Sequence, residues 1–436
     1  MAEVIGKIFY KLELLAKDFL LRATLFLGSP RLTAWALSLV AGEVNSRGEF
    51  TVLCMGRSIF INDVKALASF SGRLKYVVIH RRYWKTIFYY CLDDDEKSLI
   101  EEANYHQPNF CEKGKKKYFD YLGKLLPVLQ TKLGFAAVLS GNFGYVEQQE
   151  LAAVCEKNNI PFIVLHKEAM DAYGGDARRY QTLKFIGTKL LLYNEKIKEI
   201  LLALNVPGIL AEKVGVVGMP RADFYFARTI RKPKDGQIVF FSFYPEDKLL
   251  SLISDKTQHR LAQVQYADFH KLVMNFAKRH PEVKLIIKTK SSHHFVQYVE
   301  GIIKENLSED LKNLVLTNSG DSFELILDSQ IVIGFNSTAL IEAVIAGRPI
   351  ICPDFRGLAP DNSWDVFADY GEFLRYVRSE EDLEKYWSSV SQFRGFEPKQ
   401  KKVFLTKLLF NSDGQASKRA ETEILTAINE YRIKSL

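Results

Sequence analysis

A chain of 436 residues exceeds what one ordinary hydrophobic core accommodates, so two domains of roughly 150–200 residues are expected. Its 47% hydrophobic and 25% charged residues are the balance of a globular protein, not of a disordered or collagen-like chain. The net charge of +7, from 59 basic and 52 acidic residues, is modest and dispersed, which argues against a nucleic-acid partner but suits anionic ligands or an anionic membrane face.

The first forty residues contain IGKIFYKLELLAKDFLLRATLFL, with helical spacing and Lys and Arg interleaved among large apolar groups. Such a helix either packs on its own domain, the reading favoured here, or rests on a membrane surface. No apolar stretch reaches the ~18–20 residues a bilayer crossing needs, and no signal-peptide pattern opens the chain. A cytoplasmic protein is expected, with the inner face of the cytoplasmic membrane as a candidate contact.

From Glu49 the pattern alternates strands and helices. Strands are expected at 51–55, 75–80, 135–139, 161–165, 188–193 and 213–217, and helices at 116–132, 146–158 and 194–204. The basic run Lys113-Gly114-Lys115-Lys116-Lys117 is expected as a solvated loop. ARTIRKPKDGQ (227–237) has the polar, Pro- and Gly-containing composition of a linker. A second series follows: IVFFSF, a helix near 260–279, VKLIIKT, NLVLT, IVIG and PIIC. From about 396 the chain is helical and charged. Alternation of this kind predicts parallel, doubly wound sheets. The domain plan is a helical segment at 1–46, a Rossmann-like domain at 47–226, a linker at 227–237, a second Rossmann-like domain at 238–395 and a helical tail at 396–436. In such an α/β plan, two Rossmann-like domains would face each other across a cleft at the carboxyl ends of their strands.

Five scattered cysteines, Cys54, Cys91, Cys111, Cys155 and Cys352, suit reduced buried thiols better than disulfides or a metal site. His293 and His294 are adjacent rather than one helical turn apart, so no metal is expected there. CLDDDEK contains Asp93-x-Asp95, a spacing that holds a metal in GT-A transferases. Its surroundings lack the half-domain such a site requires, and it is read as a solvated loop.

The most informative stretch is IVIGFNSTALIEAVIAGRPIIC (331–352). Ile331–Ile333 is a buried-strand run, Ser337 or Thr338 can cap the helix that follows, and Gly347 can take the left-handed conformation that ends it. The backbone N–H groups and hydroxyls of Asn336, Ser337 and Thr338 then stand at a strand's carboxyl end, where α/β sheets hold phosphorylated ligands. Two further strand ends join them: Ser242 and Phe243 in FFSFYPE, and Lys288 and Lys290 in LIIKTKSSHH, where a lysine can meet phosphate or carboxylate. In the first domain, VLHKEAMDAYG sets His166, Lys167 and Glu168 after a strand. VLSGNFGYVEQQE sets Ser140, Asn142 and Tyr145 after another, as candidate acceptor-side residues. Arg221 can hold an anion bidentately, or form a local ion pair with Asp223 in a structural turn.

The segment 321–355, DSFELILDSQIVIGFNSTALIEAVIAGRPIICPDF, resembles the nucleotide-binding segment of GT-B glycosyltransferases that build bacterial surface polysaccharides. VGVVGMPRADFY resembles the Gly-x-Pro-Arg-x-Asp segment of capsule and lipopolysaccharide transferases and of CDP-glycerol glycerophosphotransferases. Together with the two-domain plan, the pattern most resembles the retaining β-Kdo transferases, which use CMP-Kdo. The two segments together span 47 of the 436 residues. The resemblance implies Asp223 as nucleophile, Glu168 as acid/base with His166 beside it, Glu342 on the ribose, and a nucleotide-sugar donor with no metal. A Kdo donor carries a carboxylate besides its phosphate, which would use the cationic groups of Lys167, Arg221, Lys288 and Lys290. The acceptor would be a glycan or lipid-linked glycan. Related transferases often have Lys-x-His-Pro where this chain has Lys288-Thr289-Lys290, so no catalytic histidine is implied at that strand. CDP-glycerol or UDP-sugar transfer, a UDP-GlcNAc 2-epimerase-like activity and a non-catalytic sugar-nucleotide-binding subunit are the alternatives.

Overall fold

The computed structural model describes residues 2–100, 102–107, 109–168, 180–244, 256–307, 310–356, 358, 365 and 367–434. The chain divides into two compact units. The N-terminal unit comprises residues 1–168, 178–223 and 413–436, and the C-terminal unit includes residues 224–412.

Among the described residues the N-terminal unit is built on seven strands: β1 (Gly42–Glu43), β2 (Phe50–Gly56), β3 (Leu74–His80), β4 (Phe135–Ser140), β5 (Phe162–Leu165), β6 (Lys189–Leu192) and β7 (Val214–Val216). Their order is β1-β3-β2-β4-β5-β6-β7, and every neighbouring pair is parallel except β1 with β3. Val52, Leu53, Cys54 and Met55 of β2 are at most 1% exposed. A parallel strand covered on both faces takes such an unbroken apolar run. The short antiparallel edge at Gly42–Glu43 lies outside the strands read from the sequence.

Helices Ala2–Phe26 and Pro30–Val40 precede this sheet. Ser29 caps the second by accepting from the Leu32 N–H at 3.3 Å, with Pro30 in the first turn, where its missing N–H costs nothing. Leu21, Leu25, Ala34, Ala36 and Leu37 are buried, so both helices do pack on their own unit. The run 113–117 opens the helix Glu112–Leu133 instead of forming a loop. A Cβ at Gly114 would lie 2.5 Å from the side-chain tips of Leu92 and Glu96, which would have to move aside for any larger residue. The acidic run of CLDDDEK is likewise a helix start, with Asp93 and Glu96 forming a capping box for Asp94–Leu99.

The C-terminal unit has six parallel strands among the described residues: β8 (Gln237–Phe241), β9 (Lys284–Lys288), β10 (Leu314–Thr317), β11 (Ile331–Ile333), β12 (Ile350–Pro353) and β13 (Leu374–Val377). Their order, β10-β9-β8-β11-β12-β13, is the doubly wound Rossmann order and reverses between β8 and β11. Phe240, Phe243, Tyr266, Phe269, Phe335 and Phe355 form an aromatic core beside that reversal.

Two boundaries differ from the sequence plan. Segment 227–236 is not a loose linker. Arg231 pairs with Glu324 at 2.7 Å and Asp328 at 2.5 Å, and the Lys234 N–H donates to the Asp328 carbonyl at 2.8 Å, tying the segment to the C-terminal unit. The helical tail is two helices with different homes. Pro398–Leu409 belongs to the C-terminal unit, whereas Ala416–Lys434 belongs to the N-terminal unit, where Ala420, Ile424, Ala427 and Ile428 are buried. Among the described residues no helix is long and apolar enough to cross a membrane, and all five cysteines are free.

Candidate functional site

In the C-terminal unit the reversal of strand order puts the carboxyl ends of β8 and β11 side by side, with β9 next to β8. Adjacent strands lie about 5 Å apart, so the three ends share a platform about 10 Å wide. After β11 the chain turns at Asn336, whose φ of +40° is a left-handed conformation that Asn tolerates better than most residues. Ser337 caps the helix Thr338–Ile345 by accepting from the Ala339 N–H at 3.3 Å. The far end closes as its sequence predicts. Gly347 has φ +65°, and the Arg348 N–H donates to the Ala343 carbonyl at 2.9 Å. This helix turns the positive end of its dipole and Asn336, Ser337 and Thr338 toward the platform.

At the end of β8 the Ser242 N–H donates to the Lys288 carbonyl at 3.0 Å. The Ser242 hydroxyl lies 2.8 Å from Nε2 of His270, and Nδ1 of His270 lies 2.7 Å from the Tyr266 carbonyl. A carbonyl only accepts, so Nδ1 carries the proton and Ser242 donates to Nε2. His270 is fully buried, and burial pulls its pKa down to about 4 despite the opposing Tyr266 carbonyl. Its imidazole is neutral and fixes the direction of the Ser242 hydroxyl. His270 is a site residue that sequence reasoning missed, since one histidine in a long amphipathic helix carries no signal.

Lys288 ends β9. It is half-buried, its Nζ reaches only the Thr289 carbonyl at 3.3 Å, and no carboxylate lies in ion-pair range of it among the described residues. Burial lowers its pKa, only partly offset by Asp321. Thr289 turns inward, and Lys290, exposed, lies 5.3 Å from the Phe295 ring. No group of residues that could hold a metal occurs among the described residues.

Two donor-side assignments are corrected. Phe243 is 3% exposed and belongs to the aromatic core. Glu342 is buried and accepts from the Tyr225 hydroxyl at 3.0 Å, so it braces its helix against Tyr225 instead of presenting a carboxylate to a ribose.

In the N-terminal unit the strand ends are more heavily self-paired. Ser140 is fully buried, bonded to the Asn142 backbone at 2.9 Å and to Gln148. The Asn142 side chain accepts from the Gly144 N–H at 2.7 Å. Both build the loop from within and line no acceptor surface. Tyr145 accepts from Arg57 and lies 3.5 Å below the Arg81 guanidinium, which pairs with buried Glu147. Arg57 and Arg81 follow β2 and β3 directly. The rule that flagged Lys288 would have found them, had isolated basic residues after strands been sought.

His166 is 1% exposed and hydrogen-bonds the Tyr180 hydroxyl at 2.7 Å, with Phe143 against its ring, which removes it as an open catalytic base. Lys167 is buried and ion-paired with Glu168, the more exposed of the two. Residues 169–174 of VLHKEAMDAYG, and Pro245 and Glu246, lie outside the described residues.

The Pro-Arg-x-Asp segment supplies the clearest corrections. Arg221 does not pair with Asp223. Its Nη1 lies 2.9 Å from Asp63 Oδ2 and 3.0 Å from the Tyr193 hydroxyl, and Tyr193 donates to Asp63 at 2.7 Å. Arg221 is 5% exposed, so this buried pairing, and not a ligand, holds it. Asp223 is 2% exposed. Its two oxygens accept from the Ala416 N–H at 3.2 Å and the Ser417 N–H at 2.7 Å, capping the last helix. Burial raises its pKa against those bonds. A carboxylate so occupied is not offered to a sugar, and the nucleophile assignment is not carried forward.

No family model and no curated protein matches the sequence. Among solved structures, the wall teichoic acid polymerase TagF superposes with a TM-score of 0.50 at 12% identity, over 95% of this chain and 98% of that one. A Staphylococcus aureus MnaA–UDP complex gives 0.50 at 12% identity, over 88% and 97%. The fold is of GT-B type. At such identities the likeness is one of architecture. In that architecture the β8–β9–β11 platform stands at the topological switch point of its sheet, where α/β folds bind ligands.

Proposed function

We propose that the chain is a glycosyltransferase of bacterial surface-polysaccharide biosynthesis, of capsule or lipopolysaccharide, that takes its sugar from a nucleotide donor held on the β8–β9–β11 platform. Lys288 is the observation that carries this reading. A half-buried ammonium with no carboxylate partner among the described residues is unfavourable until an anion arrives, and its strand lies next to the one that ends at the oriented Ser242 hydroxyl. Negative charge grows on the leaving phosphate as the glycosidic bond breaks. Lys288, Lys290 and the N–H groups after Asn336 are the groups that would stabilise it, without a metal.

The favoured donor is CMP-Kdo, whose carboxylate and phosphate together would occupy both lysines. Glu168, ion-paired with Lys167, is the acid/base group of this reading. The glycan acceptor belongs to the N-terminal unit, near Arg57, which has no carboxylate partner among the described residues. Retention follows only from the β-Kdo transferase resemblance, and Asp223 is not its nucleophile. A UDP-sugar donor is the second reading, favoured by the UDP held in the similar MnaA structure.

The test is a thermal-shift screen against CMP, CDP, UDP and GDP, since a ligand that binds only the native state raises its melting temperature. Selective stabilisation by CMP, lost in Lys288→Met while the unliganded melting temperature holds or rises, is the expected result. Selective response to UDP moves the donor to the second reading. No response to any nucleotide, or an unchanged response in Lys288→Met, overturns the site.

A further inference from the structure

Residues 13–26 of the helix Ala2–Phe26 and the helix Pro30–Val40 each bury one face and expose the other. On the first, Leu15, Phe19 and Phe26 recur three or four residues apart around Arg22, and Phe19 and Phe26 are 74% and 89% exposed. On the second, Leu32, Trp35 and Leu39 form a similar row next to Arg31, with Trp35 42% exposed. Large apolar side chains concentrated this way are not the single scattered exposures normal on a protein surface.

The charges say what covers the face. Residues 19–42 contain Arg22 and Arg31 and no Asp or Glu. Both arginines are exposed, and neither has an ion pair among the described residues. Asp18 at the edge of the face lies 3.5 Å from Arg82, and Glu13 is paired with Lys17 at 2.5 Å. Two-fold pairing with a second copy would bury four guanidinium groups with no carboxylate on the same face among the described side chains. An anionic bilayer accepts the same pattern. Phenylalanine and leucine enter the acyl boundary, tryptophan sits at headgroup depth, and arginine meets phosphate.

We infer that this two-helix face is a docking surface for an anionic lipid bilayer, on which the protein lies without crossing it. The inference is independent of the donor-site reading. It is tested by co-sedimentation of the full chain with vesicles of phosphatidylcholine alone and of phosphatidylcholine mixed with phosphatidylglycerol. The wild-type chain pellets with the mixed vesicles and much less with the neutral ones. Phe19→Ser with Phe26→Ser, and separately Arg22→Glu with Arg31→Glu, each weaken the mixed-vesicle affinity by at least about tenfold. These side chains are exposed, so both variants keep the wild-type melting temperature. Wild-type protein that stays in the supernatant, or variants that pellet as well as wild type, overturn the inference. So does sedimentation velocity showing a dimer that Phe19→Ser with Phe26→Ser converts to monomer, because the face then pairs with itself.

Discussion

The strand ends of the two units use polar residues in opposite ways. In the N-terminal unit most are paired with one another: Asp63 with Arg221 and Tyr193, Arg81 with Glu147, and Ser140 with its own loop. In the C-terminal unit, among the described residues, Lys288 meets only a carbonyl, and Ser242 is oriented by a neutral histidine. A polar group satisfied by a buried partner of opposite charge is construction, whereas one left with a carbonyl or an open edge keeps capacity for a ligand. Residue type at a strand end cannot tell these apart, but the partner can.

The largest effect should come from breaking the N-terminal pairing. Asp63→Ala leaves the Arg221 guanidinium buried at 5% exposure without its carboxylate, and Tyr193 without its acceptor. A loss of about 3–5 kcal/mol in the stability of that unit is expected, measured by urea unfolding followed by circular dichroism. Adding Arg221→Met should recover much of it, since the stranded charge is then gone. A loss below about 1 kcal/mol would mean that water reaches the triad, and the contrast between the units would weaken.

The C-terminal platform can be sharpened through pH. His270 titrates at about 4 in the folded chain against 6.5 for an ordinary histidine. Between those values the unfolded chain holds one proton more, so stability is full above about 6.5 and is lost as the pH falls toward about 4. The integrated loss is on the order of 3 kcal/mol. In His270→Gln this one-proton slope should vanish, whatever the variant's absolute stability. Melting temperatures of both proteins across that range supply the comparison, and parallel curves would show that the imidazole is not the buried neutral group that orients Ser242.

Much of the architecture was legible because buried parallel strands announce themselves as apolar runs. The β11–helix–β12 unit could be read down to the Ser337 cap and the Gly347 exit, each a local property of neighbouring residues. What could not be read was non-local. Arg221 finds Asp63 across 158 positions, and Asp223 caps a helix 193 positions later. No spacing in the sequence encodes either. The four-residue β13 is too short to show a period, and the return of Ala416–Lys434 to the N-terminal unit is decided by packing that a linear scan does not see.

Asp223 offers the smallest expected effect and the most discriminating one. If its work is to cap the last helix, Asp223→Asn keeps a side-chain oxygen able to accept from Ala416 or Ser417, and Asn caps helices about as well as Asp. The charge–dipole contribution and the longer of the two accepted bonds are lost, about 1 kcal/mol together, and relief of a buried charge whose pKa is raised opposes that loss. The melting temperature should therefore move little, and sugar transfer should stay within about twofold of wild type. Asp223→Ala removes the acceptor altogether and should cost about 1–2 kcal/mol, again with activity retained by the folded protein. A nucleophile would invert the pattern: Asn would fold as well as wild type yet lose transfer by orders of magnitude, because an amide cannot form the glycosyl ester. Donor turnover by the Asn variant thus decides whether the Pro-Arg-x-Asp segment is construction, like the Asp63 triad beside it, or a strand end that holds chemistry back behind a helix cap.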